Sequence, residues 1–324
     1  MLNRQPIFVN GFSRGGTTIL TNLIASHPDV CTVSEIHHLF KGDNITDSAF
    51  CVLGKCLLHD GRVIASVRQD FFSPRLIRPR RPLSPRIQRF IDRVIYKEKV
   101  RARHAFFNRF KNQDDEYTSQ EIAASRLVAK NVDGMIYATD AFAEMYPDAT
   151  FIGLVRNGLA LCEGHLRRGR SAAEIGYRYR MLGEKMLNDA EQLPRCLLLR
   201  FEDLMGDPAS QVRGLYDHAA LDIHKLNGVR MQIRRVMDKD GKHQLVGGLE
   251  WEVVWLDLKN LGAHFQSDVN DNQIRRLSSG DRDDFLREAG ETMEKLGYPV
   301  DAQTDVPRTV AFPELTARQV RSAA

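Results

Sequence analysis

Between Ile7 and Ile24 the chain passes from a short, largely apolar run, Ile7-Phe8-Val9-Asn10, into Gly11-Phe12-Ser13-Arg14-Gly15-Gly16-Thr17-Thr18. It continues as Ile19-Leu20-Thr21-Asn22-Leu23-Ile24. The first run suits a strand buried on both faces. In the last, Leu20, Leu23 and Ile24 recur at helical spacing. A strand, a glycine-rich turn and a helix start form an anion site. The N–H groups of the first helical turn have no partner inside the helix, and the helix dipole favours negative charge there.

The spacing is close to the nucleotide P-loop, G-x-x-x-x-G-K-[ST]. Gly11 and Gly16 fit, and Thr18 fits the hydroxyl position, but Thr17 stands where the phosphate-gripping lysine would be. Arg14 supplies a positive charge inside the loop instead, and arginine grips an oxyanion through two hydrogen bonds. The stretch therefore predicts an α/β fold with a P-loop-like central parallel sheet flanked by helices.

The same eight residues resemble the 5′-phosphosulfate loop of sulfotransferases that use 3′-phosphoadenosine 5′-phosphosulfate (PAPS). Ser26-His27-Pro28-Asp29-Val30 and Ser34-Glu35 resemble in particular the tyrosylprotein sulfotransferases and their bacterial relatives. Three later segments add to the resemblance in the same order. Leu127-Val128-Ala129 leads to Lys130-Asn131, similar to a Lys-Asp/Thr-Pro element, with Val132 in place of proline. Thr150 to Val155 runs into Arg156-Asn157-Gly158, similar to the family's 3′-phosphate segment. Cys196 to Phe201, read as a strand, runs into Glu202-Asp203-Leu204, similar to a Tyr-Glu-Asp-Leu turn, with Phe201 replacing tyrosine.

The resemblance implies roles. Arg14, Gly15, Gly16, Thr17 and Thr18 would hold the phosphosulfate, and Arg156 the 3′-phosphate. Gly164 falls where the family has a serine, and Arg168 where the tyrosylprotein enzymes have another arginine. Phe201 would stack on adenine. Ser267 and Arg275, with Arg276, are the candidates for closing over the nucleotide. A carboxylate at a strand end is, from the residue alone, equally a general base or a cap; the resemblance aligns Glu35 with the base. Lys130 and Arg14 complete the catalytic set, and the implied product nucleotide is 3′,5′-adenosine diphosphate (PAP). The implied reaction moves a sulfuryl group to an acceptor hydroxyl on a sugar, peptide tyrosine, lipid or small natural product. A P-loop kinase is the first rival, lacking its lysine here; an inactive sulfotransferase fold that binds an anionic polymer is the second.

Charge is unevenly spread. Residues 75–111 hold thirteen Lys and Arg against Asp92 and Glu98, whereas the whole chain is only +4. Beyond Pro79, Pro82 and Pro85, the residues Ile87, Phe90, Ile91, Val94 and Ile95 fit an amphipathic helix. This is either a solvated basic face or a platform for an anionic partner, including an anionic acceptor. No nucleic-acid motif accompanies it, so nucleic acid is not expected. The organisation expected is one sulfotransferase domain over 1–300, with a basic helical insertion at 75–126 and a tail at 301–324 that could serve as an arm in a homodimer. The sequence holds no apolar run long enough to span a membrane, and polar Asn3, Arg4 and Gln5 precede the first strand. Five cysteines without a C-x-x-C pair, and no H-E-x-x-H, predict a reduced cytoplasmic protein that needs no metal.

Overall fold

The computed structural model describes residues 5–35, 83–102, 117–233, 235–237, 243–245, 252–265 and 268–300. Five strands form one parallel sheet: β1 (Ile7–Gly11), β2 (Val30–Glu35), β3 (Arg126–Val132), β4 (Thr150–Val155) and β5 (Cys196–Arg200), in the order β2-β3-β1-β4-β5. Strand β1 is thus the middle of the sheet, and all five of its residues are buried.

Alternation along β1 sorts its side chains between two helical layers. On one face Ile7 and Val9 join Leu20, Leu23 and Ile24 of α1 (Thr17–Ala25), together with Leu204, Val212 and Leu215. On the other face Phe8 stacks on Phe142 at 4.5 Å and on Phe151 at 5.4 Å. That face is covered by α2 (Pro85–Arg101), through Ile91 and Ile95, and by α4 (Thr139–Met145). Between them in sequence, α3 (Ser119–Ala124) starts at a capping box formed by Thr118 and Glu121.

The second half of the chain extends the core past the sheet. α5 (Gly158–Leu166), α6 (Ala172–Gln192) and the final helix α10 (Ser279–Lys295) close around Tyr179, Leu182, Phe285 and Met293. Each start has a side-chain cap: Asn157, Ser171 and Ser278. The last helix stops at Gly297, whose φ of 80° is the left-handed C-cap conformation. Between α6 and α10 lie β5, α7 (Phe201–Gly206), α8 (Pro208–His218), two small antiparallel pairs and α9 (Val269–Ile274).

Some boundaries differ from the sequence reading. The strand read through Phe201 ends at Arg200, because Phe201 is the first residue of α7. A 3₁₀ stretch, Asp133–Ala138, leads from β3 into α4. Within the basic segment, α2 buries Ile91 and Ile95 against the sheet, and Lys99 is 2% exposed, its Nζ donating to the Ser125 carbonyl at 2.7 Å. Its outer face carries the exposed Arg86, Arg89, Arg93, Lys97 and Arg101 at three- and four-residue spacing. The tail at 301–324 and Ser267 lie outside the described residues.

Candidate active site

The site is assembled at the carboxyl ends of β1, β2, β3 and β4. Two parallel neighbours fix β1 in register, Gly11 opposite Val132 on one side and Leu154 on the other. The loop then turns sharply. Gly15 N–H donates to the Phe12 carbonyl at 2.9 Å, and Arg14 and Gly16 adopt left-handed φ angles of 67° and 92°. Glycine takes that conformation freely, whereas for arginine it costs about 1–2 kcal/mol. A β-carbon on Gly16 would also lie 2.5 Å from the Phe201 ring. Arg14 and Thr18 are exposed at the loop, while Thr17 is buried with its methyl over Gly11. Lys130 reaches the same place from β3, its Nζ donating to Thr18 Oγ1 at 3.3 Å.

Glu35 comes to Lys130 through an irregularity. Val30, Cys31 and Thr32 pair in order with Arg126, Leu127 and Val128, but Glu35 pairs with Lys130. A regular ladder would set Glu35 opposite Asn131. One extra residue of β2, absorbed between Thr32 and Glu35, makes Glu35 and Lys130 register partners. Behind them a buried polar ladder ties the strand ends together. Asn131 Nδ2 donates to Asn10 Oδ1 at 3.1 Å, and Asn10 Nδ2 donates to Thr139 Oγ1 at 2.8 Å.

Arg156, 7% exposed, follows β4 and reaches back to the loop. Its Nη1 donates to the Arg14 carbonyl at 2.7 Å, its Nε to Asn270 Oδ1 at 2.8 Å and its Nη2 to Gln273 Oε1 at 2.5 Å. Its guanidinium lies 4.5 Å from the centre of the Phe201 ring. Burial pulls its pKa below the ordinary arginine value, and Glu202, Tyr298 and Glu163 act against that pull. Glu202 is a junction. It accepts from the Asn157 N–H at 2.9 Å, from Asn270 Nδ2, and from the Tyr298 hydroxyl at 2.6 Å. Glu163 is the second carboxylate nearby; burial raises its pKa, but hydrogen bonds from Arg167, Gln273 and Arg276 outweigh burial and hold it below the usual range.

Of the residues singled out from sequence, Arg14, Gly15, Gly16, Thr17, Thr18, Lys130, Arg156 and Phe201 converge here, and Glu35 reaches them by register. Gly164 lies at the edge of the cluster: a β-carbon there would sit 3.6 Å from Gln273 Nε2. Arg168 is exposed in the turn after α5, and Arg275 is exposed at the C-terminal end of α9, donating to the Asp271 carbonyl and to Asn272 Oδ1. Phe201 lies beneath the loop, between Gly16 and Arg156, 5% exposed. Sequence reasoning missed Asp133, His165, Asn270 and Gln273, and quoted Glu202 within a motif without giving it a role. The only signals were the position of Asp133 just past a strand end and the polar run that contains Asn270 and Gln273. Among the described residues no group of three or more His, Cys, Asp or Glu could hold a metal ion. No described helix is long and apolar enough to cross a membrane.

A glycine loop on the central parallel strand, an arginine inside it and a lysine one strand over define a P-loop-like group-transfer fold. The model of the Sulfotransferase family matches residues 6–225, and the chain belongs to that family. It is therefore a transferase, and PAPS is that family's sulfuryl donor. Comparison with the curated proteins found no match. Among solved structures, the fold is similar to the sulfotransferase domain from the curacin biosynthetic pathway. The two chains are 15% identical, with a TM-score of 0.50, over 93% of this chain and 100% of that one. The sulfotransferase domain of the Synechococcus PCC 7002 olefin synthase is 16% identical, with a TM-score of 0.47, over 91% and 95% of the two chains. A Mycobacterium tuberculosis sulfotransferase is 15% identical, with a TM-score of 0.39, over 85% and 77%.

Proposed function

We propose that this chain transfers the sulfuryl group of PAPS to an acceptor hydroxyl in line, with Glu35 as general base and without a metal. The observation that carries this reading is the register pairing of Glu35 with Lys130, one strand from the glycine loop. The residues present suit the donor. The N–H groups that open α1 have no partners inside the helix and no side-chain cap, Arg14 and Thr18 are exposed beside them, and Arg156 is a buried cation at a second helix start. When bound, PAPS supplies the sulfuryl group and a stable leaving nucleotide.

The protein's own residues do the rest. Glu35 takes the proton of the acceptor hydroxyl as its oxygen attacks sulfur. Lys130 and Arg14 meet the charge that grows on the leaving oxygen and the sulfonate, so the work is positioning and electrostatic stabilisation. Arg156 holds the 3′-phosphate end. The acceptor class, whether sugar, peptide tyrosine, lipid or small product, is left open by the site. Glu35→Gln tests the assignment, since the amide keeps the shape and loses the base. General-base help is worth about 10²–10⁴-fold, so turnover should fall by at least about a hundredfold. PAP affinity, measured by calorimetry, should stay within about twofold if the residue acts only on the proton. Near-full turnover of the variant would remove the base from this position.

A further inference from the structure

The loop that faces the donor is held from behind by two side chains that the proposed chemistry does not use. Ser13 N–H donates to Asp133 Oδ1 at 2.9 Å. His165 Nε2 lies 3.2 Å from the Ser13 carbonyl oxygen and 3.4 Å from its hydroxyl. A carbonyl can only accept, so the Nε2 position carries the proton. The next carbonyl, that of Arg14, accepts from Arg156. Two consecutive loop carbonyls are therefore occupied by protein donors. This matters because a carbonyl oxygen aimed at the bound anion would repel it, and a loop that offers N–H groups must turn its carbonyls out. It matters also because Arg14 and Gly16 are left-handed, and such conformations persist only where neighbours over-determine them.

We infer that Asp133 and His165 are positioning residues: they clasp Ser13 at both ends and keep the glycine loop in its anion-accepting shape for sulfuryl transfer. The inference rests on the reading of this loop as the phosphosulfate site. Asp133 suits the task in its own backbone, at φ 52°, a conformation that aspartate and asparagine tolerate better than most residues. His165 stays neutral: burial lowers its pKa first, Arg170 and Arg178 add to that, and the Ser13 carbonyl and Asp133 act the other way. A neutral donor fixes the carbonyl without adding a charge that would draw the donor off the loop. Asp133 and His165 line one cleft together with Arg170 and Arg178.

The test uses the whole chain, with water as acceptor because the natural acceptor is unidentified. Water attacks sulfur, the bond from sulfur to the bridging oxygen breaks, PAP leaves with that oxygen, sulfate is released, and the two protons of water go to solvent or to the leaving phosphate. Asp133→Gly keeps the left-handed backbone and deletes the acceptor; Asp133→Asn keeps both. His165→Ala deletes the donor; His165→Gln places an N–H near the Nε2 position. Single-turnover PAPS hydrolysis should fall about tenfold or more in the Gly and Ala variants, a loss expected from misplacement on the ångström scale. It should return to within a few-fold in the Asn and Gln variants, and imidazole should partly rescue His165→Ala. In the nucleotide-free protein, amide hydrogen exchange over residues 11–20 should quicken in the Gly and Ala variants alone. Wild-type exchange and hydrolysis in Asp133→Gly, or an Asn variant as slow as the Gly one, would overturn the clasp. Arg14→Ala separates the two readings: if it hydrolyses PAPS at the wild-type rate, the loop is not the sulfuryl site and the catalytic part of the inference falls, while hydrogen exchange still decides whether the clasp holds the loop.

Discussion

Gly16→Ala is the substitution whose cost the geometry states most directly. Gly16 has φ 92°, and its missing β-carbon would stand 2.5 and 2.6 Å from two carbons of the Phe201 ring. The left-handed backbone costs an L-residue about 1–2 kcal/mol. The ring cannot swing aside freely, because it is 5% exposed and covered by the Arg156 guanidinium. Overpacking of this kind costs about 1–3 kcal/mol more. Urea unfolding should thus show Gly16→Ala destabilised by about 2–5 kcal/mol, the sum of these two terms. PAP binding by calorimetry should weaken as well, since the first N–H groups of α1 move with the residue. The steric part is separable. Phe201→Leu removes the ring, so in the double variant the clash should vanish while the backbone cost stays, giving a coupling of about 1–3 kcal/mol in a double-mutant cycle. Stability of Gly16→Ala within about 0.5 kcal/mol of wild type, the range of ordinary surface changes, would refute the argument; so would zero coupling to Phe201.

Arg156→Ala should weaken PAP far more than adenosine 5′-phosphosulfate, which lacks the 3′-phosphate; equal losses in calorimetry would make Arg156 structural, through its bonds to Arg14, Asn270 and Gln273. If the stripe of Arg86, Arg89, Arg93, Lys97 and Arg101 draws in an anionic acceptor, acceptor KM should rise with salt while PAP affinity changes less, because exposed charges are screened beyond about 8 Å at physiological ionic strength; a salt-independent KM would exclude that use. Stability should fall as pH drops below the ordinary imidazole value of 6.5, because burial lowers the pKa of His27 in the folded chain and the unfolded chain then takes up the proton first. His27 is fixed as a neutral ring that accepts at Nδ1 from the Asp29 N–H and donates from Nε2 to the Asp222 carbonyl. His27→Gln should flatten the slope between pH 5.5 and 7.5 in urea titrations, and an unchanged slope would assign it to other groups.

The parts of the fold that could be read from sequence are those set by local chemistry. Strands β1 and β4 are short, largely apolar runs buried along their whole length, β5 is an apolar run at the sheet edge, half-buried over its first three residues, and Asn157, Ser171 and Ser278 announce the helices they cap. Arg14, Thr18 and Arg156 were visible because each sits beside a strand end where a parallel sheet puts its ligands. What stayed hidden depends on which distant segment arrives. Nothing near Phe201 says that its ring will lie beneath Gly16, and Glu202, quoted only within a motif, shows no partner in sequence until Asn157, Asn270 and Tyr298 meet it. Lys99, one basic residue among many, gave no sign that it would be buried against Ser125. The clasp on Ser13 joins residues more than a hundred positions apart, beyond the reach of any spacing rule.

The extra residue in β2 bears on how relatives should be lined up with this chain. Thr32 and Glu35 are three apart, while their partners Val128 and Lys130 are two apart, so a chain with a flat β2 would keep the glutamate–lysine pairing with one residue fewer. A gap placed at Val33 or Ser34 preserves the glutamate–lysine pairing; a gap placed in the glycine loop would displace that loop instead. A search pattern that fixes the number of residues from Gly16 to the glutamate would pass over enzymes built on the same site, whereas one anchored on the facing lysine would find them.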